Sequence, residues 1–470
     1  MTTKLKISGV VLLLLSLGGC KVGPNYKRPT VTVPTEYRGA TPPTAGQQGQ
    51  PFGEMQWESV FQDQALQGLI KEALTNNYDI RIAATRVLEA NANLGIVRSN
   101  QFPSVGASYG LAYTRSPLSI LGIKSNGSEG TTFDFAALSI NYIVDFWGQY
   151  RRATEAARAN LLATEYGKFV VQTTLISSVA TDYFLLREYD FQLQYSKDTV
   201  DADKQILQLN TIKFKGGDAS EMDVYQAQVL VQQAEAQVIY LQQLGEQTEN
   251  NISILLGRNP GGVARGLTLT EQPHMPDVPA GLPSTLLERR PDVRQAEEHL
   301  VAANANVGVA KAAFFPQISL TGQVGASSVF TEFLEGPAAF WTLGGQIAQP
   351  IFEGGRIKSN YRLAWAERDE AELSYKQTVQ HAFGDVSNSL AGYVQGRQYR
   401  MKLEEQTKTY KAAADLANVR FRGGVTSFLE VLITEQDYFV SELNLASAWY
   451  AELASYVQLY QSLGGGWQPQ

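Results

Sequence analysis

The sequence predicts a membrane α+β protein, with short transmembrane-type β-strands leading into very long antiparallel coiled-coil helices. Three observations carry this. Proline is absent between Pro117 and Pro260 and again between Pro350 and Pro469, so both tracts can run as uninterrupted helix. Ahead of each long helical pattern lie short runs of strict apolar/polar alternation, the period of a strand. The two halves also repeat each other: Asp79, Ala90 and Phe102 recur as Asp292, Ala303 and Phe315, each 213 positions on. Val179, Gly217 and Leu256 recur as Val386, Gly424 and Leu463 at 207 positions, so the plan is an internal duplication.

The chain has 470 residues, 44% of them hydrophobic, and a net charge of −7. Mild acidity without a basic tract gives no footprint for nucleic acid. Residues 1–19 read as a signal segment, with Lys4 and Lys6 ahead of the apolar run Ile7 to Leu17, which is too short to cross a bilayer. The run ends in Leu17-Gly18-Gly19-Cys20, which resembles a bacterial lipobox and implies a mature chain beginning at a lipidated, fatty-acylated Cys20. Lys21 replaces the aspartate that holds such lipoproteins in the inner membrane, which favours the outer one. Cys20 is the only cysteine, so no intrachain disulfide can form. Beyond the signal no window of 18 apolar residues is evident, so lipid and strands are the expected routes into a membrane.

Residues 20–75 form an anchored, extended segment that turns helical over 57–75, with Leu66, Leu69, Ile70 and Ala73 on one face. The first repeat, 76–257, is read as a helix, strands near 103–115 and 133–146, a long helix over 151–211 and another over 220–256. Six prolines from Pro260 to Pro291 mark a linker at 258–290. The second repeat, 291–463, places strands near 316–330 and 339–352 and helices over 357–419 and 427–462. Residues 464–470 are a C-terminal tail. At 1.5 Å per residue the long helices run roughly 90 Å. Their apolar stripe (Leu162, Tyr166, Phe169, Thr173, Ile176, Val179, Tyr183, Leu186) is narrow, as in a coiled-coil wall.

The strands put Val105, Ala107, Tyr109, Leu111 and Tyr113 on one side and Ser104, Gly106, Ser108 and Gly110 on the other. Leu138, Ile140, Tyr142 and Val144, then Ile318, Leu320 and Val324, then Trp341, Leu343 and Ile347 continue the pattern. Apolar outside, small and polar inside, with aromatics near the ends, is the transmembrane-barrel signature; a soluble sheet with one wet face shares it. Four strands cannot close a barrel, and lipid tolerates no open edge, so several chains must share one barrel.

Between the helices of each repeat sits a sharp turn: Phe214-Lys215-Gly216-Gly217-Asp218-Ala219-Ser220-Glu221-Met222-Asp223 and Phe421-Arg422-Gly423-Gly424-Val425-Thr426-Ser427-Phe428-Leu429-Glu430. The glycine pairs end one helix, and Ser-x-x-Asp/Glu predicts a capping box that starts the next. Lys213, Lys215, Arg420 and Arg422 suit helix C-termini.

Cys20-Lys21-Val22-Gly23-Pro24-Asn25-Tyr26-Lys27-Arg28-Pro29 resembles the start of lipoprotein outer-membrane factors, the TolC-like, NodT-type exit components of resistance-nodulation-division efflux pumps. Asp145-Phe146-Trp147-Gly148, Pro350-Ile351-Phe352-Glu353-Gly354-Gly355-Arg356 and Leu287-Glu288-Arg289-Arg290-Pro291-Asp292-Val293 resemble further family segments, so the likeness spans the mature chain. It implies a homotrimer with a shared 12-stranded barrel in the outer membrane and a periplasmic α-barrel, meeting a membrane-fusion adaptor and an inner-membrane transporter. It implies a passive duct for small toxic compounds, with adaptor docking at Phe214, Gly216, Gly217, Phe421, Gly423 and Gly424. Asp223, Leu429 and Glu430 are the gate candidates at the periplasmic end. Family members with a second acid three residues on are not matched here, where Gln226 and Ile433 stand.

His274, His299 and His381 are scattered, and no metal-ligand spacing, phosphate loop or nucleophile motif is present. The expectation is therefore no enzyme, no metal and no cofactor beyond the lipid on Cys20. Two other readings stay open: an outer-membrane component for type I protein secretion, and a lipid-anchored coiled-coil scaffold without a pore.

Overall fold

The computed structural model describes residues 20–38, 52–114, 131–273, 283–329 and 338–467. The signal segment, His274 and the turn at Glu335-Gly336-Pro337 lie outside the described residues. In chain order the helices and strands are α1 (Trp57–Val60), α2 (Gln64–Asn76), α3 (Tyr78–Ser99), β1 (Ser104–Thr114), β2 (Thr131–Val144), α4 (Gln149–Gly216) and α5 (Glu221–Leu255). There follow α6 (Pro283–Arg289), α7 (Pro291–Ala312), β3 (Gln317–Val329), β4 (Ala338–Ala348), α8 (Arg356–Arg422) and α9 (Phe428–Ser462). Each predicted strand and long helix is present within a few residues of its expected ends.

The described residues fall into two compact units. The first holds Cys20–Pro29, Val87–Ala163 and Ala296–Tyr375. Its four strands form one antiparallel sheet in the order β1-β2-β3-β4. The register brings the apolar positions onto one face, since Ala107 pairs with Leu138, Leu138 with Val324, and Val324 with Trp341. That face is unburied in the protomer: Val105 is 70% exposed, Tyr109 64%, Trp341 78% and Leu343 79%. A soluble sheet would hide such a face, and a lipid-facing one would not.

The N-terminal segment is seated on this unit. Arg152, only 1% exposed, donates to the carbonyls of Val22 and Gly23 and to Asn25 Oδ1 at 2.9–3.2 Å. Arg28 grips the Glu297 carboxylate through two nitrogens at 2.6 Å, and Tyr26 adds a hydroxyl at 3.1 Å. An alanine seam (Ala156, Ala159, Ala302, Ala305) lets α4 and α7 approach closely beneath it.

The second unit contains Thr30–Arg86, Thr164–Gln295 and Lys376–Gln470. Its centre is aliphatic and aromatic, with Ile176, Val179, Tyr183, Leu186, Val386, Leu390, Tyr393, Tyr456 and Tyr460 all buried. The apolar stripe expected along α4 is largely here, but Leu162 is 36% exposed. Contrary to the sequence reading, α4 does include a window apolar and long enough to span a membrane; half of it is buried, because it supplies this core.

One further expectation changes, and the structure adds detail to two others. The helix expected over 57–75 is split at Phe61–Asp63, because Asp63 caps α2 by accepting from the Ala65 and Leu66 amides. The 258–290 linker is not wholly irregular, for it carries a 3-10 turn at Leu269–Glu271 and α6. The C-terminal tail packs back: Trp467 is 7% exposed, stacks on Phe169 at 5.0 Å and donates its indole N–H to the Arg289 carbonyl at 2.8 Å. A large apolar ring near the end of a chain gains too much from burial to be left in water.

Asp63 is the polar hub of this unit. Besides the cap, it accepts from the Tyr183 hydroxyl at 2.7 Å, the Leu267 amide at 2.9 Å and Gln272 at 3.1 Å, so it ties the linker to α2 and α4. Burial alone would raise its pKa, but the hydrogen bonds from Tyr183, Gln272, Ala65 and Leu267 outweigh this and hold the carboxyl below its ordinary value. Asp63→Ala leaves those donors unmet and should cost about 3 kcal/mol, read as a lower denaturant midpoint for loss of helical circular dichroism. The depressed pKa sets the sign with pH. Its contribution is complete above the unfolded carboxylate value of about 3.9 and is lost as pH falls through the folded value, so the wild-type advantage over the variant should shrink in acid.

Candidate functional site

The two turns joining α4 to α5 and α8 to α9 are the only described places where long helices reverse directly into one another. At the first, the amide of Gly217 bonds the Phe214 carbonyl (3.0 Å) and that of Asp218 bonds the Lys213 carbonyl (2.8 Å). At the second, Gly424 and Val425 make the matching bonds to Phe421 (3.1 Å) and Arg420 (2.9 Å). These bonds need a left-handed residue, and Gly217 (φ +86°) and Gly424 (φ +73°) supply it.

The capping chemistry is not duplicated. Ser220 and Asp223 form the full box: the Asp223 amide donates to Ser220 Oγ at 3.2 Å, while the Ser220 amide and hydroxyl both donate to Asp223 Oδ2 at 2.9 Å. Ser427, expected to do the same, makes no side-chain cap. Glu430 is one methylene longer than Asp223 and turns elsewhere, accepting from the Thr426 hydroxyl and lying 4.0 Å from the Arg420 guanidinium. Asp223 is therefore committed to a helix end, whereas Glu430 sits in an exposed ion pair that is 44–46% accessible on both sides.

The structure brings both turns together within one protomer. Phe428 and Val431 pack with Ala417, Ala227 and Leu230, flanked by Ile206, Leu207, Phe421 and Leu432. Phe421 meets Phe428 at 5.5 Å, and Lys213 of the other turn lies 3.9 Å above the Phe421 ring, a cation–π contact worth about 1–2 kcal/mol. Phe421 is thus engaged internally. Phe214 (43% exposed) and Leu429 (52%) face outward, as do Gly216, Gly217, Gly423 and Gly424. Cys20 is exposed at the start of the first unit and belongs to no tip.

Sequence reasoning missed the Lys213–Phe421 clasp, because a basic residue near a helix end already suits the dipole. The Thr426–Glu430 contact could have been found, since the two are four residues apart. No pattern marks Asn210, one turn before the tip, whose amide oxygen and nitrogen are both buried without a hydrogen-bond partner. Such a group costs about 1–3 kcal/mol, which keeps the tip less stable than its packing alone would make it.

The asymmetry of the caps is directly measurable. Ser220→Ala should lower stability by about 1 kcal/mol, whereas Ser427→Ala should change it by only a few tenths. Thermal melts of the two variants followed side by side by circular dichroism check this.

Comparison with known proteins agrees with this geometry. The family profile described as outer membrane efflux protein matches residues 69–258 and 282–465, the two halves of the duplication. The chain is 36% identical over 464 residues to the solvent efflux pump outer membrane protein SrpC of Pseudomonas putida, covering 97% of each. It is 31% identical over 469 residues to the cation efflux system protein CusC of Escherichia coli, again covering 97% of each. Among solved structures, it matches the outer-membrane channel OprN with a TM-score of 0.86 at 28% identity (96% of this chain, 100% of the other). The Campylobacter jejuni CmeC outer membrane channel matches with a TM-score of 0.89 at 25% identity, over 96% of both chains. The duplicated strand-and-hairpin plan, its lipid-type sheet face and these likenesses have one conclusion: the chain belongs to the outer membrane efflux protein family.

Proposed function

We propose that the chain, the outer-membrane exit duct of a tripartite efflux pump, works as a homotrimer anchored by a fatty-acylated Cys20 and passes small toxic compounds outward without chemistry. Its partners are a periplasmic membrane-fusion adaptor and an inner-membrane transporter of the resistance-nodulation-division type. The observation that carries the reading is the four-stranded sheet with an exposed apolar face and two edge strands paired on one side only. Three such sheets supply the 12 strands of a closed barrel, which removes the edges that lipid forbids. The relatives named for solvent, toluene and cation efflux favour small compounds over exported protein.

At the tips, the division of labour between the acids supports Glu430 as the gate group. Asp223 is held in its cap, whereas Glu430 pairs across the turn with Arg420 through a contact weak enough to exchange. Leu429, exposed beside it, offers an apolar ring when repeated in three copies. The outward-facing Phe214 and the glycine pairs leave room for adaptor helices. A strain lacking this chain should accumulate at least one toxic small compound; unchanged accumulation of every compound tested contradicts the efflux reading. In planar bilayers, Glu430→Gln should alter conductance and reduce cation selectivity, whereas Asp223→Asn should act on stability. Equal selectivity in wild type and Glu430→Gln removes the gate assignment and leaves efflux standing.

A further inference from the structure

Further along the same hairpins, α4, α5 and α9 flank a half-open cavity of about 400 Å³ within the second unit, lined by Tyr195, Asp203, Gln233, Glu435, Tyr438 and Phe439 among others. Asp203 is the unusual member. It is 5% exposed, its side chain lines the cavity, and no hydrogen bond or ion pair to it is present among the described residues. Burial, and after it the Glu435 carboxylate, pushes its pKa up to about 7. Glu435 accepts from the Asn418 amide, and burial raises its pKa as well. Lys411, which reaches the Tyr438 ring at 5.5 Å, also pairs with Asp415 at 3.3 Å. No basic side chain lines the cavity.

A carboxyl set among apolar and acidic neighbours with no cation beside it is costly to ionise, and a fold can avoid it with almost any neutral residue. The duplication shows that the scaffold does not demand these acids. The positions equivalent to Asp203 and Glu435, 207 residues away, are Tyr410 and Gln228. Aromatic rings complete the lining: Tyr195 stacks on Phe439 at 5.9 Å and meets Tyr438 edge-on at 6.1 Å. Two carboxyls beside clustered aromatic faces are the surroundings that hold an alkylated ammonium. A metal ion is a poorer fit, because no group of three or more His, Cys, Asp or Glu side chains able to hold one occurs among the described residues.

We propose that this cavity is a binding site for a small organic cation, with Asp203 as its charge partner and the Tyr195–Tyr438–Phe439 cluster as its apolar wall. The site lies in the helical wall and needs no assumption about the gate.

The test is calorimetric titration of the full-length detergent-purified protein with benzyltrimethylammonium, using benzyl alcohol as the uncharged control. Wild type should bind the cation and not the alcohol. Asp203→Asn should bind roughly tenfold more weakly while keeping its helical circular dichroism and oligomer size. If that variant fails to fold, Glu435→Gln takes its place and should show a smaller loss in the same direction. In melts, the cation should stabilise wild type more than it stabilises Asp203→Asn. No binding to wild type, equal binding by Asp203→Asn, or equal binding of the alcohol overturns the proposal. Because the readout is binding, each of those outcomes leaves the efflux function untouched.

Discussion

A β-strand at the edge of a sheet carries a row of backbone amides and carbonyls with nothing to bond, and hydrocarbon supplies no water to take them. In this protomer β1 and β4 are those edges, and the sheet between them turns an apolar face outward. The rest of the molecule follows from the need to satisfy them. One copy cannot curl four strands into a closed barrel, so the edges must find partners on other copies. In the proposed homotrimer the long helices of each repeat stand beside those of neighbouring copies, and their narrow apolar stripes suit that arrangement.

Duplication supplies two hairpins per chain, and the structure shows them doing different work. Their backbone turns are nearly identical, yet one acid caps a helix while the other sits in an exposed ion pair. The Lys213–Phe421 contact and the Phe421–Phe428 pair join the apices, so a movement of one is felt by the other. The buried, unpaired Asn210 lowers the stability of the same region, as the proposed gate role would require. In the first unit, Arg152 and Glu297 hold the segment after Cys20 in a defined place.

Much of this was legible in the sequence, for physical reasons. Strict alternation reports the pleat of a strand, so β1 to β4 and the common face of Val105, Leu138, Val324 and Trp341 could be read directly. Proline-free tracts interrupted by Gly216-Gly217 and Gly423-Gly424 located both hairpins, because left-handed backbone favours glycine. Features that depend on distant contacts were not legible. Asp63 breaks a helical pattern only because Tyr183, Leu267 and Gln272, more than a hundred residues away, need its carboxylate. Ser427 loses its cap to a competition between Thr426, Arg420 and a longer acid, which identical spacing cannot reveal. Trp467 seemed part of a tail because its partners, Phe169 and the Arg289 carbonyl, lie far off in sequence. Asp203 carries no mark in the sequence, because the cavity it lines is built from three helices distant in the chain.

The sharing of one barrel among copies is the claim on which everything else rests, and the mass of the assembled complex tests it most directly. Native mass spectrometry of the mature protein, extracted from outer membranes in mild detergent, should give three chains per complex, falling to one only on denaturation. A stable monomer that still formed ion-conducting channels would contradict the account.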